Sequence, residues 1–250
     1  MYQFFVEPAQ ILAQEKKVII TGKDVNHIKN VLRMREGEEI AVSNGIDGKE
    51  YRCGIREMNE DAVICELRFV KEDALELPSK LYLFQGLPKA DKMELIIQKA
   101  VELGAYEVIP MATKRAVVKL DAKKAKSKVT RWQAISEAAA KQSKRGVIPN
   151  VHEVMTFKEA IAYAEQMSVK VIPYELAEGM EKTKEIMRKI GTEKPESIAI
   201  FIGPEGGFDE AEVTLAMEHG VEPITLGKRI LRTETAGFTT LAFIMYQLEE

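Results

Sequence analysis

Apolar and polar residues alternate over short runs in the first part of the chain and recur at helical spacing after it. Residues 39–43, 49–57 and 62–70 have the period of two expected of half-buried strands. Asn44-Gly45 and Asp47-Gly48 supply turn chemistry between them. Residues 2–6 form a further short apolar run, and residues 24–35 have helical spacing with Val25, Ile28 and Leu32 on one face. This pattern predicts a small β-rich barrel.

The charged stretch 71–79, with Pro78, breaks the alternation and places a domain boundary between residues 74 and 75. Beyond it, strand and helix signals take turns. A strand at 80–85 is followed by a turn at 86–90 and a helix that buries Met93, Ile96, Ile97, Ala100, Val101 and Leu103 before Gly104. Asp91 and Glu94 have the spacing of an N-cap and its N3 partner, worth about 1 kcal/mol. Further strands are predicted at 106–111, 169–173, 197–202 and 222–226, and helices at 130–144, 180–190 and 235–248. Thr156 with Glu159, and Asp209 with Glu212, predict two more capped helices, the second stopping at Gly220. Such alternation implies an α/β domain over residues 75–250, with a parallel sheet covered on both faces.

With 46% apolar and 30% charged residues among 250, the chain has the composition of an ordinary globular protein. Residues 1–10 lack a basic segment followed by an apolar one, and no apolar run approaches membrane-spanning length. A cytoplasmic location without membrane contact is expected. Cys53 and Cys65 fall on predicted strands with no metal-ligand spacing, so both are expected as reduced core thiols, and no metal site is expected.

Charge changes the picture locally. Residues 111–145 hold eleven Lys or Arg against Asp121 and Glu137, which leaves −12 on the remainder of a chain whose total is −3. This asymmetry is either a phosphate-binding face or a solvated helix surface. Trp132, at helical spacing with Ile135, reads as core rather than as a base-stacking ring.

Two glycine-bearing turns near the C-terminus each follow a predicted strand: GPEGGF at 203–208 and LGKRILRTETA at 226–236. In open α/β sheets ligands bind beyond the carboxyl ends of strands, where glycine admits close backbone approach. Neither turn is a triphosphate cradle or a dinucleotide fingerprint. Glu205 also stands where a phosphate would need bare N–H groups. A cationic or neutral ligand fits better.

IGPEGGF followed by LGKRILRTETA resembles the cofactor-site signature of the RsmE family, SPOUT-class methyltransferases. The resemblance implies transfer of a methyl group from S-adenosylmethionine to N3 of a uridine in the decoding region of 16S rRNA. It further implies a PUA-like RNA-binding domain at 1–74, a C-terminal trefoil knot, and a homodimer whose active site includes partner residues. Cofactor contacts are expected from Gly203, Leu226, Gly227, Ile230 and Leu231, and from Leu176 at the end of the third strand. For catalysis, Arg232 is expected to stabilise the uridine anion, with Glu205 or Glu234 accepting the proton or orienting Arg232. The alternative is an Arg232–Glu234 structural ion pair, with Glu205 merely complementing the helix after Asp209.

RNA contacts are expected from Lys89 and Lys92 at the strand ends and from Lys114, Arg115 and Lys141. Gln142 and Arg145 match the family's Q-S-x-R pattern. Arg33 and Arg35 suit either RNA contact or the negative end of a helix dipole. Gln3 departs from the family, which is commonly basic there. A non-enzymatic RNA-binding assembly factor and a SPOUT enzyme for another nucleotide are the rival readings. The intact turns count against the first.

Overall fold

The alternating runs of the first part of the chain pair into one sheet. In the computed structural model, which describes residues 1–72, 75–174 and 179–249, the strands are β1 (Gln3–Phe5), β2 (Ile11–Leu12), β3 (Lys17–Thr21), β4 (Glu39–Ser43), β5 (Glu50–Met58) and β6 (Ala62–Lys71). Their order is β1-β4-β5-β6-β3-β2. β1 joins β4 in parallel, and the other pairs are antiparallel. Alternation gathers Val18, Ile20, Ile40, Val42, Ile55, Val63 and Leu67 into one core with Phe4, Val25 and Ile28. Cys53 and Cys65 lie in that core as free thiols, and burial pushes both up to about 12.

Two features of this unit differ from the pattern's prediction. β2 and β3 go beyond the expected strands, because β3 is brief and only Val18 and Ile20 of it are buried. The helix expected over residues 24–35 is α1 (Lys23–Asn26), which widens into a π turn at His27–Val31. There the Leu32 N–H reaches the His27 carbonyl at 2.9 Å, and Arg33 ends the helix at φ 53°.

The second sheet contains β7 (Lys80–Gly86), β8 (Ala105–Ala112), β9 (Asn150–Val151), β10 (Met155–Thr156), β11 (Val169–Pro173), β12 (Ser197–Ile202) and β13 (Glu222–Ile224). Its order is β10-β8-β7-β12-β11-β13, with β9 also on β8, and every pair is parallel. All the strands therefore end on one edge. The helices are α2 (Lys92–Glu102), α3 (Ala122–Ser143), α4 (Phe157–Tyr163), α5 (Met180–Glu193), α6 (Glu210–Glu218) and α7 (Thr233–Glu249). Phe84, Ile109, Phe201 and Ile172 pack with Phe157 and Ile161 of α4 and Val213 of α6. Against the other face lie α2, α5 and α7, with Ile96, Ile97, Ile190, Leu241 and Ile244 fully buried or nearly so. This covering of both faces is what the strand and helix alternation predicted.

The chain divides into two compact units, Met1–Glu76 with Ala140–Ile148, and Leu77–Ala139 with Pro149–Glu250. The division falls inside α3. Among the described residues no helix is long and apolar enough to cross a membrane.

Capping chemistry is realised at two of three predicted places. Thr156 and Asp209 each complete a reciprocal capping box with Glu159 and Glu212. Asp91 makes no side-chain cap: Ala90 at φ 53° turns the chain so that Asp91 adopts φ −96°, ψ 16°, outside the extended conformation a cap requires. Its carboxylate instead lies 3.7 Å from the Lys128 ammonium, and Glu94 pairs with Arg131. Trp132 is buried, as its spacing with Ile135 predicted.

Candidate active site

The parallel sheet delivers the two glycine-bearing turns to one edge. GPEGGF follows β12 and closes as a tight turn, the Gly207 N–H donating to the Pro204 carbonyl at 2.9 Å with Gly207 at φ 66°. LGKRILRT follows β13, and Gly227 at φ 112° turns the chain there. A hydroxyl holds that second turn: the Thr225 Oγ1 accepts from the Gly227 N–H at 3.3 Å. Thr183 of α5 braces it from below, accepting from the Thr225 N–H and donating to the Thr225 carbonyl.

Contact between the turns is direct. The Thr233 hydroxyl donates to the Gly203 carbonyl at 2.6 Å, joining the end of β12 to the start of α7. The fully buried Gln85 amide of β7 donates to the Thr233 Oγ1 at 2.9 Å and to the Gly86 carbonyl at 3.0 Å. Gly86 is required by crowding, since a Cβ there would lie 2.6 Å from Pro204 Cδ and 2.7 Å from Pro204 N. Sequence reasoning singled out neither Gln85 nor Thr233 for a role. The available signal was a lone amide closing the apolar strand LYLFQ.

Charge is concentrated at the same edge. The Lys92 ammonium lies 3.3 Å from Glu205 Oε1 and 3.2 Å from Glu234 Oε2, so two carboxylates share one cation. The Lys89 backbone N–H also donates to Glu205, at 3.1 Å. Burial works against ionisation of Glu205, but its own N–H, that of Lys89 and the Lys92 ammonium outweigh it and hold the carboxyl below its usual range. The hydrogen bond to the Glu234 carboxylate, helped by Glu205, holds the Lys92 ammonium above the ordinary lysine pKa. Arg232 is exposed, and Glu234 is engaged with Lys92. Leu226, Gly227 and Leu231 are half-buried, and Ile230 is 82% exposed, a large apolar side chain beside two glycine turns. Leu176 lies outside the described residues.

The cations expected at RNA divide into three situations. Lys114 and Arg115 stand on the loop after β8, both beside Asp209, with Lys114 Nζ at 2.9 Å and Arg115 Nε at 3.7 Å. The bond from the Lys114 ammonium, helped by the Ala211 N–H, holds the Asp209 carboxyl below its ordinary pKa. In the first unit, Arg33 and Arg35 are exposed, Gln142 is exposed at the end of α3, and Lys141 lies 3.7 Å from Asp24. Arg145 differs: it is buried, and its Nε donates to both carboxylate oxygens of Glu76 at 3.2 Å. That guanidinium is held inside the first unit by the pair with Glu76. Gln3 belongs to the same arrangement, its amide donating to the Arg145 carbonyl at 2.9 Å and to Ser43. Among the described residues no group of three or more His, Cys, Asp or Glu is placed to hold a metal ion.

An all-parallel sheet with two pinned turns at its carboxyl edge is the arrangement in which open α/β sheets bind a small ligand. Residues 75–245 match the RNA methyltransferase domain family, and residues 20–68 match the RNA methyltransferase PUA domain. The chain is 40% identical over 251 residues to the ribosomal RNA small subunit methyltransferase E of Bacillus subtilis, covering 100% of this chain and 98% of the relative. Its counterpart in Mesomycoplasma hyopneumoniae is 34% identical over 96% of this chain and 97% of its own. A Neisseria gonorrhoeae enzyme of that name, crystallised with S-adenosyl methionine, superposes with a TM-score of 0.80 at 28% identity, covering 98% and 97% of the two chains. The chain belongs to the RsmE family of SPOUT-type RNA methyltransferases.

Proposed function

We propose that this enzyme transfers a methyl group from S-adenosylmethionine to N3 of a uridine in the decoding region of 16S rRNA. The single observation that carries the reading is the Thr233–Gly203 bond, which pins the family's two signature turns into one site. Two carboxylates sharing one ammonium suit a ligand with a positive sulfur and no phosphate. The residues proposed to hold it are Gly203, Leu226, Gly227, Ile230 and Leu231, through backbone groups and apolar walls, and Leu176. When bound, S-adenosylmethionine supplies an electrophilic methyl group.

The chain's part in the reaction is positioning and charge. N3 of uridine carries a proton and is a poor nucleophile at neutral pH, so the developing anion needs a fixed cation. Exposed Arg232, whose neighbour Glu234 is engaged by Lys92, takes that role. A carboxyl held below its usual range is a weak base. Glu205, tied to Lys89 and Lys92, is therefore a positioning group more than a proton acceptor, and Glu234 beside Arg232 is the group proposed to take the N3 proton. The target base must leave its stack to reach the site. Lys89, Lys114 and Arg115, with Arg33, Arg35, Lys141 and Gln142 of the first unit, are the proposed RNA contacts.

The family's trefoil knot and homodimer belong to the same proposal. Supporting the knot, α7 packs on α2, α5, β7 and β12, elements from well-separated parts of the chain. Supporting the dimer, Leu95, Phe243 and Tyr246 of α2 and α7 are large apolar residues at the surface. A ribosomal substrate implies a cytoplasmic enzyme. Mass mapping of 16S rRNA from cells lacking the protein tests the reading: the decoding-region uridine should carry no methyl group, and a fully methylated base would refute it.

A further inference from the structure

We infer that Gln85 and Thr233 form a directional hydrogen-bond relay that sets cofactor affinity, making both positioning residues of the methyl-transfer site. The inference rests on the cofactor reading above and adds the device that keeps the two turns in register. Three elements meet in it: Gln85 is the penultimate residue of β7, Gly203 follows β12, and Thr233 opens α7.

Direction is fixed by chemistry. The Gly86 and Gly203 carbonyls can only accept. Since Gln85 Nε2 lies 3.0 Å from the Gly86 carbonyl, the amide must present its NH₂ on that side, and its second N–H points to Thr233 Oγ1 at 2.9 Å. The hydroxyl, having accepted, has its own hydrogen left for the Gly203 carbonyl at 2.6 Å. A hydroxyl can accept and donate at once, which a methyl group cannot.

The relay is maintained against a cost. Gln85 is fully buried, and its Oε1 has no hydrogen-bond partner among the described residues. A Cβ added at Gly237 of α7 would lie 3.7 Å from that oxygen. A buried acceptor left unpaired destabilises a protein, and an apolar side chain of similar size would avoid this. The amide is thus explained by what its NH₂ does. It holds the hydroxyl that holds Gly203, at the point where the cofactor's backbone partners must be preorganised before binding.

A relay that orders the turns acts on bound substrate and transition state alike, so its loss should raise KM without lowering kcat. Full-length Thr233→Val and Thr233→Ser are compared in methyl-transfer kinetics, with calorimetry of S-adenosylmethionine alone as a second readout. Thr233→Val should raise both KM and Kd for the cofactor about tenfold, with kcat at saturation and KM for RNA within about threefold of wild type. Thr233→Ser should restore wild-type values. If Thr233→Val does not fold, Gln85→Met removes the donor while sparing Thr233, and the same shifts are expected. Wild-type cofactor affinity in Thr233→Val, or a Thr233→Ser enzyme as weak as Thr233→Val, would overturn the relay alone. Wild-type protein that binds no S-adenosylmethionine would overturn the cofactor reading and the relay with it.

Discussion

The Lys92 ammonium lies 3.2 Å from Glu234 Oε2, tying the first turn of α2 to the first turn of α7. Glu205 of the GPEGGF turn lies 3.3 Å away on the same nitrogen. A cation committed to two carboxylates is poorly available to phosphate. Lys92 is therefore expected to act inside the site rather than in the contact with RNA that its sequence position implied.

Salt dependence separates these roles. Each phosphate neutralised contributes about 0.7 to 0.9 to the slope of log affinity against log salt. Lys92→Gln should leave that slope unchanged while lowering kcat by about tenfold or more. Lys114→Gln should reduce the slope by one such step, because its exposed pair with Asp209 is weak enough to exchange for phosphate. A reduced slope for Lys92→Gln would return it to the RNA contacts.

Arg232 makes a separate prediction. Removing a donor that meets developing charge costs about 10²- to 10³-fold in rate. Arg232→Ala should show that loss in single turnovers with saturating RNA and keep its affinity for S-adenosylmethionine. An unchanged single-turnover rate would remove Arg232 from the chemistry.

Acid should expose the Glu205 contacts. A carboxyl whose folded value is depressed contributes stability that is present above its unfolded value and is lost as pH falls through the folded one. Glu205 is held below its ordinary 4.5, with burial opposing and the N–H groups of Glu205 and Lys89 together with Lys92 prevailing. Thermal melts taken in steps below pH 4.5 should therefore fall more steeply for wild type than for Glu205→Gln. Parallel curves would contradict the assignment.

Arg145, buried against Glu76, is expected to serve packing. Removing one member of a buried ion pair leaves the other charged and unpaired, at a cost of about 3–5 kcal/mol. Denaturant unfolding of Arg145→Met should show a loss of that order, much of it recovered in the double variant with Glu76→Leu. A stability near wild type combined with weaker RNA binding would restore Arg145 to the RNA surface.

Much of the second unit was legible because its strands are near-continuous apolar runs and its helix starts carry reciprocal caps, as at Thr156 and Asp209. β3 was not, since a five-residue strand with two buried positions carries too little pattern. The Asp91 cap failed for a reason spacing cannot express, the positive φ of Ala90 before it. At the site, the two turns could be located from their glycines, whereas the bond between Thr233 and Gly203 depends on strand order. The pairing of Arg145 with Glu76 was not legible in the Q-S-x-R motif, because Glu76 lies far earlier in the chain.

The central claim is methyl transfer to one base atom, and the most direct measurement is made in a tube. Purified enzyme, tritiated S-adenosylmethionine and small subunits from cells lacking the protein are incubated, and the 16S rRNA is digested and mapped by mass spectrometry. The account predicts label in one decoding-region uridine, on N3. Label on another nucleotide, or none despite bound cofactor, would contradict it.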